Sequence, residues 1–177
     1  MGYLTTNAGV KKEELRHFVL VPFHSKSLRG EARDFWERKG IFRTTFGELA
    51  DDITMPEKTV LYVLAHSGRD VSHIAGDDET LSAGELVDQL VENGLPPKIL
   101  AVKIWACFTG VNGFAMEVKA KFIAKQKGYN PIVVGYNEIT GGPFDMGDEP
   151  HKHVFQEGQG GTRGALIGRA CAHRTIY

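Results

Sequence analysis

Residues 59–66 read TVLYVLAH and residues 98–107 read KILAVKIWAC. Each is a nearly unbroken apolar run of strand length, partly β-branched or aromatic, without the strict alternation of a half-buried strand. A parallel sheet covered on both faces requires runs of this kind. Between them, residues 82–92 set Leu86, Val87, Leu90 and Val91 on one helical face, and Ser82 followed by Glu85 forms a capping box. Gly94, Pro96 and Pro97 stop that helix. Outward from this centre, residues 16–23 (RHFVLVPF) read as a strand, and residues 25–39 carry Ala32, Phe35 and Trp36 at helical spacing. Residues 41–46 fit a short strand, whereas residues 47–58 are acidic, weakly periodic and broken by Pro56. On the other side, residues 114–127 read as a helix ended by Gly128, and residues 131–136 (PIVVGY) as another strand. From Asn137 on the chain is glycine-rich, with loops expected around His151 and His153 and a last strand at residues 165–172. Strand–helix alternation predicts an α/β fold with a largely parallel sheet flanked by helices. A polar arm, residues 1–15, precedes one domain, residues 16–177.

Composition narrows the functions. A chain of 177 residues with 42% hydrophobic content builds one core. Lys plus Arg total 21 against 22 for Asp plus Glu, a formal net charge of −1, which gives no overall field for nucleic acid. The apolar runs 59–65 and 99–106 fall far short of the roughly 20 residues of a membrane-spanning helix. Residues 1–14 lack the regions of a secretory signal, so the mature chain is expected to start near Met1, in the cytoplasm or as a delivered effector. Gly2 with Thr6 matches a bare myristoylation pattern, read as coincidence because Tyr3 follows the glycine. Cys107 and Cys171 make no disulfide framework and have no zinc-ligand spacing, which points to free thiols. Residues 158–164 (GQGGTRG) lack the ending of a phosphate loop, and His151 with His153 lack an evident third metal ligand.

Two buried strands each end in a reactive side chain, His66 and Cys107, and each is followed by a glycine, Gly68 and Gly110. Ligands of open α/β sheets bind outside the carboxyl ends of the strands, so residues just past two neighbouring ends converge on one crevice. A thiolate attacks where a thiol does not, and an imidazole both promotes the thiolate and protonates a leaving amine. The backbone N–H groups of Cys107 and of the Ser67 or Gly68 turn are the expected oxyanion donors. A cysteine-phosphatase loop would want arginine six positions after the cysteine, where Gly113 stands.

The endings AHSG at 65–68 and ACFTG at 106–110 resemble the paired signature of the caspase-like (clan CD) cysteine peptidases, His-Gly and Ala-Cys-x-[Ser/Thr]-Gly. The blocks HSGRD, LSAGELVDQL, KIWACFTG, NGFAMEVKAKFIAKQKGY and PIVVGYNEI, spread over about residues 59–139, are most similar to the self-processing cysteine protease domains of bacterial RTX and large clostridial toxins. The resemblance implies a caspase-like three-layer sandwich, a His66–Cys107 dyad, a protein or peptide substrate, and no required cofactor. The match departs at Ser67, which separates His66 from Gly68 where the family has glycine directly after histidine. Those toxin domains are activated by inositol hexakisphosphate. The bases here, Lys103, Lys119, Lys121, Arg163, Arg169 and Arg174, do not align with such a site residue by residue, and a counterpart of the toxin domains' β-flap is not evident. Tyr136, Asn137 and Glu138 are expected to wall the substrate crevice, and Asp70, Asp77, Asp78, Glu138 and Asp145 are the acids available to a basic P1 side chain. The competing reading is a caspase-like module without peptidase activity, serving as a scaffold or gripping a phosphorylated ligand.

Overall fold

The computed structural model describes residues 16–39, 42–45, 58–125, 128–145 and 150–177. The expected polar arm, its myristoylation pattern and nearly all of the acidic stretch 47–58 lie outside them, as do the side chains of Phe35, Trp36, Asp145 and His151. The strands are β1 (Arg16–Val21), β2 (Phe42–Thr45), β3 (Thr59–Leu64), β4 (His73–Ala75), β5 (Thr80–Ser82), β6 (Ala101–Trp105), β7 (Ile132–Tyr136), β8 (Ile139–Asp145), β9 (Pro150–Glu157), β10 (Arg163–Arg169) and β11 (Arg174–Ile176). The α-helices among the described residues are α1 (Lys26–Lys39), α2 (Ala83–Glu92) and α3 (Phe114–Lys125).

The two apolar runs do form the centre of the sheet. Its order is β11-β7-β6-β3-β1-β2, parallel from β2 to β7 and closed by antiparallel β11. Every residue of β3 and of β6 is buried, so both faces of the sheet are covered. Burying a single Leu, Ile or Val side chain contributes about 1.5–3 kcal/mol, and these two strands supply Leu61, Leu64, Val63, Val102 and Ile104. The order reverses beside β1: the chain steps to β2 on one side, then to β3 on the other. A crevice opens at such a switch point, here between the segments that follow β1 and β3.

Local signals explain the helices. Ser82 and Glu85 bond reciprocally across the start of α2, whose buried face is Leu86, Val87 and Leu90. The carboxyl of Glu85 is held below the usual range by the Ser82 N–H and hydroxyl. Helix α1 is capped by Ser25, whose Oγ accepts from the Leu28 N–H at 3.2 Å, and it buries Leu28 and Ala32. No helix among the described residues is long and apolar enough to cross a membrane.

The tail departs from expectation. Strands β8, β9 and β10 form an antiparallel sheet, so strands stand where loops were expected, and the last strand expected at residues 165–172 falls largely on β10. His151 and His153 lie in β9, with His153 buried. Beyond a 3-10 turn at Ala170–Ala172, β11 closes the main sheet. Glycines and Pro143 hide the strand pattern, and the ladder accommodates Pro143 with a register shift between Gly141 and Pro143. The loop expected after His66 contains the β4–β5 hairpin, tied back by an isolated bridge from His66 to Ala75.

Gly135 in β7 is required by contact. A Cβ there would sit 2.5 Å from the Gly110 nitrogen and 2.6 Å from the Thr109 carbonyl carbon and oxygen. Both neighbours are backbone and have no rotamer by which to move. Gly135→Ala is expected to lower unfolding free energy by about 3 kcal/mol, at the upper end for overpacked sites. Urea titration checks this; a loss within about 0.5 kcal/mol, the range of neutral surface changes, would mean that the two segments are not in contact.

Candidate active site

The register of the two central strands sets the site. Leu64 pairs with Trp105, and the Ala65 N–H continues the ladder to the Trp105 carbonyl at 3.3 Å. His66 and Cys107 therefore each stand two residues beyond a matched pair, at the carboxyl edge of adjacent strands. His66 is exposed and Cys107 half-buried, a free thiol.

After Cys107 the chain turns sharply. Phe108 adopts φ 59°, the one left-handed non-glycine among the described residues. This conformation costs about 1–2 kcal/mol. Burial of its ring, worth about 1.5–3 kcal/mol, offsets that cost. The Arg69 guanidinium also lies 4.3 Å from the ring centroid, and Arg69 is ion-paired to Glu157 at 3.1 Å. The Val111 and Asn112 N–H groups both donate to the Phe108 carbonyl at 2.9 Å. Thr109 is buried, its hydroxyl donating to the Ile104 and Ala106 carbonyls at 3.2 and 3.1 Å and accepting from the Tyr136 N–H at 3.3 Å. The Gly110 N–H donates to the Tyr136 carbonyl at 2.9 Å. Cys107 Sγ lies 3.8 Å from Thr140 Oγ1, so β8 flanks the thiol.

The loop after His66 is fastened to this turn by Asn112. Its amide donates to the carbonyls of Gly68 (2.9 Å) and Val71 (2.8 Å) and approaches Ser67 Oγ at 3.3 Å. Its Oδ1 accepts from the Phe114 N–H at 3.0 Å, at the start of α3. Ser67 Oγ donates to the His73 carbonyl at 3.1 Å. Among the described residues no backbone acceptor receives the N–H of Ser67, Gly68 or Cys107.

On its other side His66 meets the N-terminus of α1. Its Nε2 lies 3.4 Å from Ser27 Oγ. Asp77 Oδ1 accepts from the Ser25 and Ser27 hydroxyls, both at 2.9 Å, and Oδ2 from the Lys26 N–H at 3.0 Å. The Ser25 and Ser27 hydrogen bonds lower the Asp77 pKa below the usual carboxylate range, helped by the Lys26 N–H and by His66. Ser27 was not among the residues singled out from sequence, and Asp77 figured only as an acid for a substrate side chain; neither belongs to a motif that could have flagged it.

The remaining expected residues fall in varied places. Tyr136, only 2% exposed, packs edge-on against Trp105 at 4.5 Å and faces the core rather than a crevice. Burial pushes its phenol well above the ordinary range. Asn137 and Glu138 are half-buried beside the Cys107 turn: Asn137 Oδ1 accepts from the Thr175 hydroxyl at 2.9 Å, and the Glu138 carbonyl from the Phe108 N–H at 3.4 Å. The six bases are spread over β6, α3, β10 and β11. Lys103 is engaged by Tyr62, Lys119 by Asn130 and the Pro131 carbonyl, and Arg163 by Glu31. No protein-family model matches the chain, and a search of curated proteins finds no match.

Asn112→Ala removes a helix cap worth about 1 kcal/mol and leaves carbonyls unpaired at about 1–3 kcal/mol. It is expected to destabilise by about 2–3 kcal/mol on that basis and to speed amide exchange at residues 67–72. Asn112→Asp keeps the acceptor to Phe114 but turns a carboxylate oxygen toward the Gly68 and Val71 carbonyls, so it should retain the helix start and free the loop at least as much as Asn112→Ala does; exchange measured on both variants separates the two roles.

The depressed pKa of Asp77 means that its ionised form stabilises the fold. That contribution is complete above about pH 4, the unfolded value, and is lost as pH falls through the lower folded value. Asp77→Asn should therefore lose stability at neutral pH and show a flatter decline as pH falls below about 4, read from urea midpoints at successive pH values.

Proposed function

We propose that this chain is a cysteine endopeptidase of the caspase-like type, in which His66 and Cys107 act as a dyad. The observation that carries the reading is the placement of both side chains just past the matched ends of adjacent parallel strands. The His-Ser-Gly and Ala-Cys-Phe-Thr-Gly endings and the parallel α/β sheet agree with it. In this reading the Cys107 thiolate attacks the scissile carbonyl and a C–S bond forms as the carbonyl π pair moves to oxygen. Collapse expels the amine, which takes a proton from His66, and leaves a thioester. Water, deprotonated by His66, hydrolyses the thioester and regenerates the thiol. The N–H groups of Cys107 and Gly68, with that of Ser67 adjacent, are the donors for the oxyanion. Asn137 and Glu138 border the approach to the thiol, and a protein or peptide is the substrate. The left-handed Phe108 supports the reading, since strained turns cluster where a nucleophile must be presented.

The test is labelling of purified protein with acyloxymethyl ketone peptides carrying Leu, Asp, Arg or Lys at P1, read by intact mass beside Cys107→Ala and His66→Ala. A single adduct on the native protein, at Cys107, absent in Cys107→Ala and reduced by about 100-fold or more in His66→Ala, is expected for general-base assistance. No adduct with any probe, also after inositol hexakisphosphate is added, would move the protein to the inactive caspase-like module.

A further inference from the structure

Hydroxyl counting around His66 leads to an assignment that the dyad alone does not contain. Ser25 and Ser27 each have one hydroxyl hydrogen, and both hydrogens go to Asp77 Oδ1 at 2.9 Å. An ionised carboxylate only accepts, so it fixes both hydroxyls as donors toward itself. The 3.0 Å contact between the two serine oxygens then holds no hydrogen, and Ser27 Oγ has only lone pairs to present to its remaining neighbour. That neighbour is His66 Nε2, 3.4 Å away. A neutral imidazole carries one N–H, and the partner of one nitrogen decides which nitrogen has it.

We infer that Asp77, acting through Ser27, selects the Nε2–H tautomer of His66 and thereby leaves Nδ1 as the nitrogen that takes the proton of Cys107. This assignment rests on the peptidase reading for the role of Nδ1, whereas the tautomer itself stands on the hydrogen bonds alone. Ser27 and Asp77 are positioning residues, since neither touches the thiol. The relay also joins distant parts of the chain: Ser27 lies in the first turn of α1, His66 stands two residues past β3, and Asp77 lies between β4 and β5. The segments after β1 and β3 face each other at the switch point of the sheet, so the relay spans the crevice. Other charged groups on these segments are differently engaged or merely adjacent: Arg29 donates to His24 Nδ1 at 3.2 Å, Lys26 precedes Ser27, and Asp78 and Glu79 follow Asp77. The lowered pKa of Asp77, to which His66 contributes, agrees with a carboxylate that stays ionised throughout the neutral range.

Long-range nitrogen–proton NMR reads the tautomer directly, with His66 picked out of the seven histidines by its loss in His66→Ala. The native protein should show the Nε2–H form, and Ser27→Ala should lose the exchange protection of that proton. In parallel, the rate of Cys107 alkylation by iodoacetamide, in which the sulfur displaces iodide, is followed from pH 5 to 9. Ser27→Ala and Asp77→Asn should slow it by about tenfold at neutral pH and move its profile toward that of His66→Ala, and Ser27→Thr should restore it. Ser27→Ala leaves the Ser25–Asp77 bond that holds α1, so it keeps the test valid if Asp77→Asn fails to fold. A native Nδ1–H tautomer, or an unchanged profile in Ser27→Ala while His66→Ala shifts it, overturns the relay. An identical profile in native and His66→Ala protein overturns the dyad instead, and the NMR result then decides the relay by itself.

Discussion

The close approach of the Thr109–Gly110 backbone to Gly135 is the constraint on which the site depends. Two facing glycines let the turn after β6 lie directly on β7, where the Gly110 N–H reaches the Tyr136 carbonyl and the Tyr136 N–H reaches the Thr109 hydroxyl. The Tyr177 hydroxyl donates to the Gly110 carbonyl at 2.9 Å and so holds the same turn. No side chain larger than hydrogen fits on either face of this contact: a Cβ at Gly110 would meet Gly135 backbone at 2.9 Å and the Asn137 amide oxygen closer still. The thiol of Cys107 is therefore placed by backbone, which has far fewer soft degrees of freedom than a stack of side chains. Phe108 tolerates its left-handed conformation because the turn is fixed on both sides and its ring is buried.

From this fixed turn, order passes to the segment carrying His66. Asn112 stands at the exit of the turn and binds two carbonyls of the opposite loop, so the ends of β3 and β6 are joined above the sheet as well as within it. Each bond contributes only about 1 kcal/mol net, yet losing the donor leaves acceptors unsatisfied, which costs more than the bond supplied. The third segment, the start of α1, is attached by a different force. There a carboxylate gathers two hydroxyls and one N–H at a helix N-terminus, where negative charge is favoured. The sheet edge is thus held by neutral bonds on the Cys107 side and by charge on the α1 side.

Much of this arrangement was legible in the sequence. Residues 59–66 and 98–107 disclosed the sheet because strands buried on both faces need continuous apolar runs, and the serine–glutamate spacing at 82–85 marked the start of α2 because capping is local chemistry. His66 and Cys107 stood out for the same reason: they end those runs. The sheet of β8–β10 was missed because Gly141, Gly142 and Pro143 within β8 break a pattern that the tertiary ladder restores through a register shift. Tyr136 was placed by strand order beside the crevice, but side chains alternate across a strand, and its face turns toward Trp105. Ser27 and Asp77 were illegible as partners of His66, since their 50-residue separation is bridged only by the fold.

Ser67 is the point where the resemblance and the structure bear on each other most directly. Its hydroxyl donates to the His73 carbonyl and lies near the Asn112 amide, so the residue is taken up into the scaffold of the loop. The loop closes on itself through the His66–Ala75 bridge, in which the N–H and carbonyl of each residue exchange bonds at 2.8 Å. His66 is therefore anchored through its own backbone before the chain reaches Ser67. With the Ser67 hydroxyl already committed, the proposed peptidase would take its oxyanion donor in this segment from backbone, the kind of donor that needs no reorganisation when charge develops.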